Sequence, residues 1–226
     1  MRPEDLMSDA RFGRRVAKRA LLFAALYARA MCENDPGSEP QLRKMRDWIG
    51  QNHLLEEAET PEAVCLKSSI GGLTEKQIRD MSWLLESTSI LGWSLRAVPL
   101  QEYDDTAYED EVLEGLGYLQ DDNVFTRQGS LRPPDELEDL RASYEFLLWR
   151  LRDYDSNRKR RGDLMLDANP LKIQFRDGDV LFREAFLTQL DEPTIRELFS
   201  IVQERYQAIT WVVDKYPHYY ETPLDT

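Results

Sequence analysis

Two histidines, His53 and His218, and two cysteines, Cys32 and Cys65, are all this 226-residue chain offers for imidazole or thiol chemistry. Neither histidine stands in an HExxH or His-x-Cys context and the cysteines lack a CxxC spacing, so a zinc site would need ligands gathered from scattered positions. Gly-x-Ser-x-Gly is absent, and Gly71-Gly72 is a lone pair outside any GxGxxG or GxxxxGK phosphate cradle. The run Glu109-Asp110-Glu111 lacks the alternating carboxylates and central glycine of a calcium loop. Among 42 acids almost any carboxylate pair can be nominated for acid–base work, so such pairs carry no information. The expectation is a protein with no catalytic residues, no metal and no cofactor.

One residue pattern does call for an explanation. Leu198, Ile201, Val202, Ala208, Ile209 and Val212 form an apolar helical stripe, and Arg205 falls inside it. A buried guanidinium must be paired, because an isolated interior charge costs several kcal/mol. Glu86, three residues after Trp83 on the comparable face of an earlier helix, is one candidate partner and Glu204 is another. A buried ion pair that fixes helix register is the expected role; a ligand-binding arginine is the sharper alternative. Trp48, Trp83, Trp93, Trp149 and Trp211 all fall in predicted helices and read as core residues.

These residues sit on a chain of helices. Phe12, Val16, Ala20, Phe23, Tyr27 and Ala30 predict a first helix over 9–31. Asn34-Asp35-Pro36-Gly37 is a turn, and Ser38 with Gln41 predicts a capping box for a helix through Trp48 and Ile49. Thr60-Pro61 predicts an N-cap and first-turn proline, and Thr74 with Gln77 a second capping box that opens a helix to about Arg96. Pro133-Pro134 starts the longest pattern, to about Arg158, with Leu137, Leu140, Tyr144, Leu147, Leu148 and Leu151 as its core stripe. The basic run at 158–161, followed by Gly162, reads as a helix end. Leu171, Ile173 and Phe175 before Asp177-Gly178 permit a short hairpin near 171–182, a helix over 180–190 being the alternative. Asp191 with Pro193 opens a last helix to about Asp214. The fold expected is mainly α, a single-domain multi-helix bundle over 1–226.

Charge bounds the partners. Forty-two acids against 29 bases give a formal net charge of −13, a field that repels nucleic-acid phosphates and anionic membrane surfaces and attracts a cationic protein. Residues 102–122 hold nine acids and no Lys or Arg, with Tyr103, Tyr108, Val112, Leu116 and Leu119 as an apolar edge. Glu102, Asp104, Asp105, Glu109, Asp110, Glu111 and Glu114 are the expected partner-binding residues. Arg14, Arg15, Lys18 and Arg19 before the apolar run 20–28 imitate a signal peptide. Glu4, Asp5 and Asp9 speak against one, and the run is too short to span a bilayer, so a cytoplasmic location is expected.

Several motifs together resemble a known bacterial family. Arg15-Val16-Ala17-Lys18-Arg19-Ala20-Leu21-Leu22, Asp47-Trp48-Ile49 and Thr60-Pro61-Glu62 are similar to successive segments of the family called domain of unknown function 4272. So are Ser82-Trp83 with Glu86, Leu91-Gly92-Trp93-Ser94-Leu95, Ile201-Val202-Gln203-Glu204-Arg205 with Ala208 and Trp211, and the closing Pro223-Leu224-Asp225-Thr226. The departures are Tyr206 where the family has His, Thr210 where it has Asn, and Leu84 where Arg is common. The resemblance implies a helical fold and no biochemical activity. The function expected from the charge is a non-enzymatic acidic binding protein that neutralises or regulates a partner, such as an immunity protein against a bacterial toxin. The alternatives are a helical housekeeping module or an enzyme built around Glu86, Glu204 and Arg205.

Overall fold

A computed structural model describes residues 9–120, 129–156 and 168–224. The chain is mainly α and packs as two compact units, Met1–Pro99 with Tyr108–Leu131, and Leu100–Ala107 with Arg132–Thr226. Each unit joins two separate stretches of the sequence.

The first unit is built on α1 (Asp9–Met31) and α5 (Leu84–Ser94), which pack on one another. The predicted stripe of α1 is buried, and Ala17, Leu21, Leu22, Ala24, Ala25 and Leu26 join it, so the helix is covered almost all round. Every residue of α5 is buried as well. Three of its hydroxyls are tolerated there because they are spent on their own helix: Thr88 donates to the Leu84 carbonyl, Ser89 to that of Glu86 and Ser94 to that of Ile90. Around this pair lie α2 (Glu39–Gln51), α3 (Thr60–Lys67), α4 (Glu75–Ser82) and α6 (Glu109–Gly115). The helix expected from Thr74 to Arg96 is interrupted at Trp83, which ends α4 and precedes α5.

The capping expectations fared unevenly. Thr74 and Gln77 form their box. Ser38 caps nothing through its side chain, because its hydroxyl donates to Asp35, which also receives the Gly37 amide. The cap of α3 moves one residue back to Glu59, whose amide donates to Glu62 at 2.7 Å, leaving Thr60 inside the first turn.

The second unit pairs α7 (Pro134–Arg152) with α8 (Glu192–Asp214). All six predicted core residues of α7 are buried. The helix stops at Arg152 and continues as a 3-10 turn over Asp153–Ser156; the basic run at 158–161 and Gly162 lie outside the described residues, as do Asp225 and Thr226. The hairpin forms, with β1 (Phe175–Arg176) antiparallel to β2 (Asp179–Val180) across Asp177-Gly178, both at positive φ. That dipeptide suits the turn whose twist matches a hairpin. The alternative helix over 180–190 is replaced by extended chain and a 3-10 turn at Leu187–Gln189. Asp191 caps α8 by accepting from the Thr194 amide, as its position predicts.

Candidate functional site

The acids expected to bind a partner fall in both units. Glu102, Asp104 and Asp105 belong to Leu100–Ala107 in the second unit, whereas Glu109, Asp110, Glu111 and Glu114 lie on α6 in the first.

Leu100–Ala107 is a strap seated on its unit by its main chain. Gln101, Tyr103 and Ala107 are buried, while Glu102 and Asp105 are exposed. Beneath it is Arg205, fully buried in α8. The guanidinium expected to seek Glu86 or Glu204 donates to main-chain carbonyls, from Nη1 to Glu102 and from Nη2 to Asp105 at 2.8 Å. These bonds satisfy buried donors of the guanidinium. Glu204 is half-buried on the same helix, and Glu86 is buried in α5 of the first unit. Tyr103 adds a second anchor: its hydroxyl donates to the Leu181 carbonyl and accepts from the Gln174 amide, and burial pushes its pKa up to about 12.

Above the strap, Arg183 engages the acids themselves. Its amide donates to the Asp104 carboxylate, its Nε to the Asp104 carbonyl at 3.0 Å, and its Nη2 lies 3.9 Å from Asp105 and 3.2 Å from Glu197. The hydrogen bond to Glu197, with the acids around it, raises the Arg183 pKa. Arg183 and Glu184 both have positive φ, 51° and 64°, in the two-residue turn between Phe182 and Ala185. Side chains other than glycine rarely hold that conformation, so the turn is strained.

On α6, Val112 is fully buried and Tyr27 of α1 donates its hydroxyl to Glu109 at 2.9 Å. Burial first, then the carboxylates of Glu109 and Glu86, drive the Tyr27 pKa upward. Asp110, Glu111 and Glu114 are exposed, beside Tyr108 at 57% exposure.

Sequence reasoning missed two further buried arginines. Arg19 donates from Nη1 to both oxygens of Glu62 at 2.9 Å, and Arg29 pairs with Glu33 one turn on. Arg29 also donates to the Ser69 carbonyl, and Arg46 to those of Leu66 and Ser68, so both close the C-terminal end of α3. The signal was present: Arg19 and Arg29 interrupt the apolar pattern of α1, as Arg205 does that of α8. Among the described residues no group of three or more His, Cys, Asp or Glu is placed to hold a metal. His53 is 74% exposed at its side chain, and Cys65 is buried, its thiol pKa raised by that burial. No described helix is long and apolar enough to cross a membrane.

A mainly α chain with buried arginine networks and an exposed acidic helix is the class that fold and side chains define. The model of the family described as Domain of unknown function (DUF4272) matches residues 7–222, and the chain belongs to that family. No curated protein and no solved structure matches it.

Proposed function

We propose that this is a non-enzymatic binding protein that engages and neutralises or regulates a basic protein partner, as an immunity protein does against a bacterial toxin. The observation that carries this reading is α6. One side is fixed by Val112 and by the Tyr27–Glu109 bond, and the helix leaves Asp110, Glu111 and Glu114 exposed next to Tyr108. A fixed helix pays little ordering entropy on binding, and an exposed tyrosine among charges suits an interface whose acids steer a cationic partner. Asp104 and Asp105 contribute less, since Arg183 already engages them.

The test begins with capture of a partner from native lysate on the tagged full-length chain. Association kinetics with the purified partner are then measured for wild type and for the Asp110→Asn, Glu111→Gln, Glu114→Gln variant. The expected result is a basic partner whose association slows about tenfold or more at low salt in the variant, with a smaller change in dissociation. Equal rates would remove α6 from the interface, and a partner of acidic surface would remove the electrostatic reading altogether.

A further inference from the structure

We propose that the half-open cavity on α2 binds a small organic anion with a flat apolar body, independently of the α6 surface. The cavity has a volume of about 470 Å³, within the ~300–1,000 Å³ of small-molecule sites. Pro40, Arg43, Lys44, Asp47 and Trp48 line it from α2, and their three-to-four spacing places them along one side of that helix. Leu119 lines it from the turn 117–120.

Trp48 ties that turn to the helix. The Trp48 indole N–H donates to the Gln120 carbonyl at 2.8 Å, and its ring meets Tyr118 edge-on at 5.3 Å. Within the turn, Gly117 and Leu119 have φ of 63° and 61°. Glycine takes that conformation freely and leucine does not. The two Trp48 contacts hold the strained Leu119 where it forms part of the cavity wall; strain of this kind persists where surroundings over-determine it and gathers at ligand clamps.

The charges set the ligand class. Arg43 and Lys44 are exposed and make no ion pair with any described residue, although acids outnumber bases by 13 in this chain. A single carboxylate or sulfonate at the mouth can meet both cations, while a flat body lies against Pro40, Leu119 and the edge of Trp48. Asp47 repels a bare multivalent anion, so the apolar body is required for affinity.

The test follows the Trp48 indole N–H signal of the full-length ¹⁵N-labelled chain during titration with 2-naphthalenesulfonate, 2-naphthol and sulfate. The expected result is a saturable shift with the sulfonate and much weaker effects from the neutral ring and the inorganic anion. The Arg43→Gln, Lys44→Gln variant should bind the sulfonate about tenfold more weakly, and Asp47→Asn a few-fold more tightly. These side chains are exposed, so an unchanged melting curve confirms that the variants stay folded. Equal binding of 2-naphthol, equal binding of sulfate, no saturable shift, or undiminished binding by the double variant would each overturn the proposal.

Discussion

Three arginines, Arg19, Arg29 and Arg205, are buried inside otherwise apolar helices; Arg19 and Arg29 each meet a carboxylate and main-chain carbonyls, and Arg205 donates to main-chain carbonyls. Removing one partner of such a pair leaves an uncompensated interior charge, costing about 3–5 kcal/mol. Arg29→Met should fall in that range by urea unfolding at neutral pH, because it leaves the buried Glu33 carboxylate without its cation. Glu33→Gln should cost less, since an amide oxygen can still accept from the Leu73 amide that Glu33 now receives. The pH dependence follows from Glu33 itself. Burial alone would raise its pKa, but the Leu73 amide and Arg29 hold the carboxyl below the usual range. Its contribution is therefore complete above an unfolded pKa of about 4.3 and fades as pH falls through the lower folded value. The stability gap between wild type and Glu33→Gln should close as unfolding is measured from pH 6 downward; a constant gap would show that the charge is immaterial. Arg205 was legible as a residue needing a partner because it interrupts a stripe. The Glu102 and Asp105 carbonyls that it meets were not, since main-chain groups about a hundred residues away leave no trace in side-chain spacing. Glu62 lies 43 positions from Arg19 and was equally hidden, whereas the Arg29–Glu33 spacing was open to reading.

At the scale of elements, the strap Leu100–Ala107 depends on α8 for its seating. Arg205→Met removes hydrogen bonds to a charged donor, each contributing about 1.5–3 kcal/mol. The amides of 100–107 should then exchange faster with deuterium, and more so than those of α7, whose packing does not use this contact. Uniform acceleration would instead mean that Arg205 stabilises the whole unit and not the strap. The strained turn at Arg183-Glu184 offers a change of opposite sign. Glu184→Gly places glycine at a left-handed position while retaining Arg183, and relief of strain should outweigh the added chain entropy by roughly 0.5–1 kcal/mol, read as a higher melting temperature. The two hairpin turns show what local sequence can encode. Asp177-Gly178 announces its turn, while Arg183-Glu184 adopts the same backbone sign without the residue types that favour it, because Arg183 is bonded to Asp104 and Glu197. Core stripes were legible for the same reason as the first turn, since burial follows periodicity. Caps shifted where a neighbouring acid took the cap's hydroxyl or stood one position nearer.

At the scale of the molecule, the net charge of −13 is a long-range field, and the acids of α6 are a local feature. Neutralising Asp110, Glu111 and Glu114 changes both at once, taking the net charge from −13 to −10. A matched control separates them. Glu75, Asp135 and Glu192 are exposed acids in the first turns of α4, α7 and α8, so converting them to amides alters the net charge equally. If α6 is the interface, only its own triple variant should slow association with the basic partner strongly, and the control should lose no more than a few-fold. The difference should shrink as ionic strength rises past 0.1 M, where screening over about 10 Å removes the long-range part first. Equal slowing by both variants would assign the attraction to the overall field, and would place the contact surface somewhere other than α6.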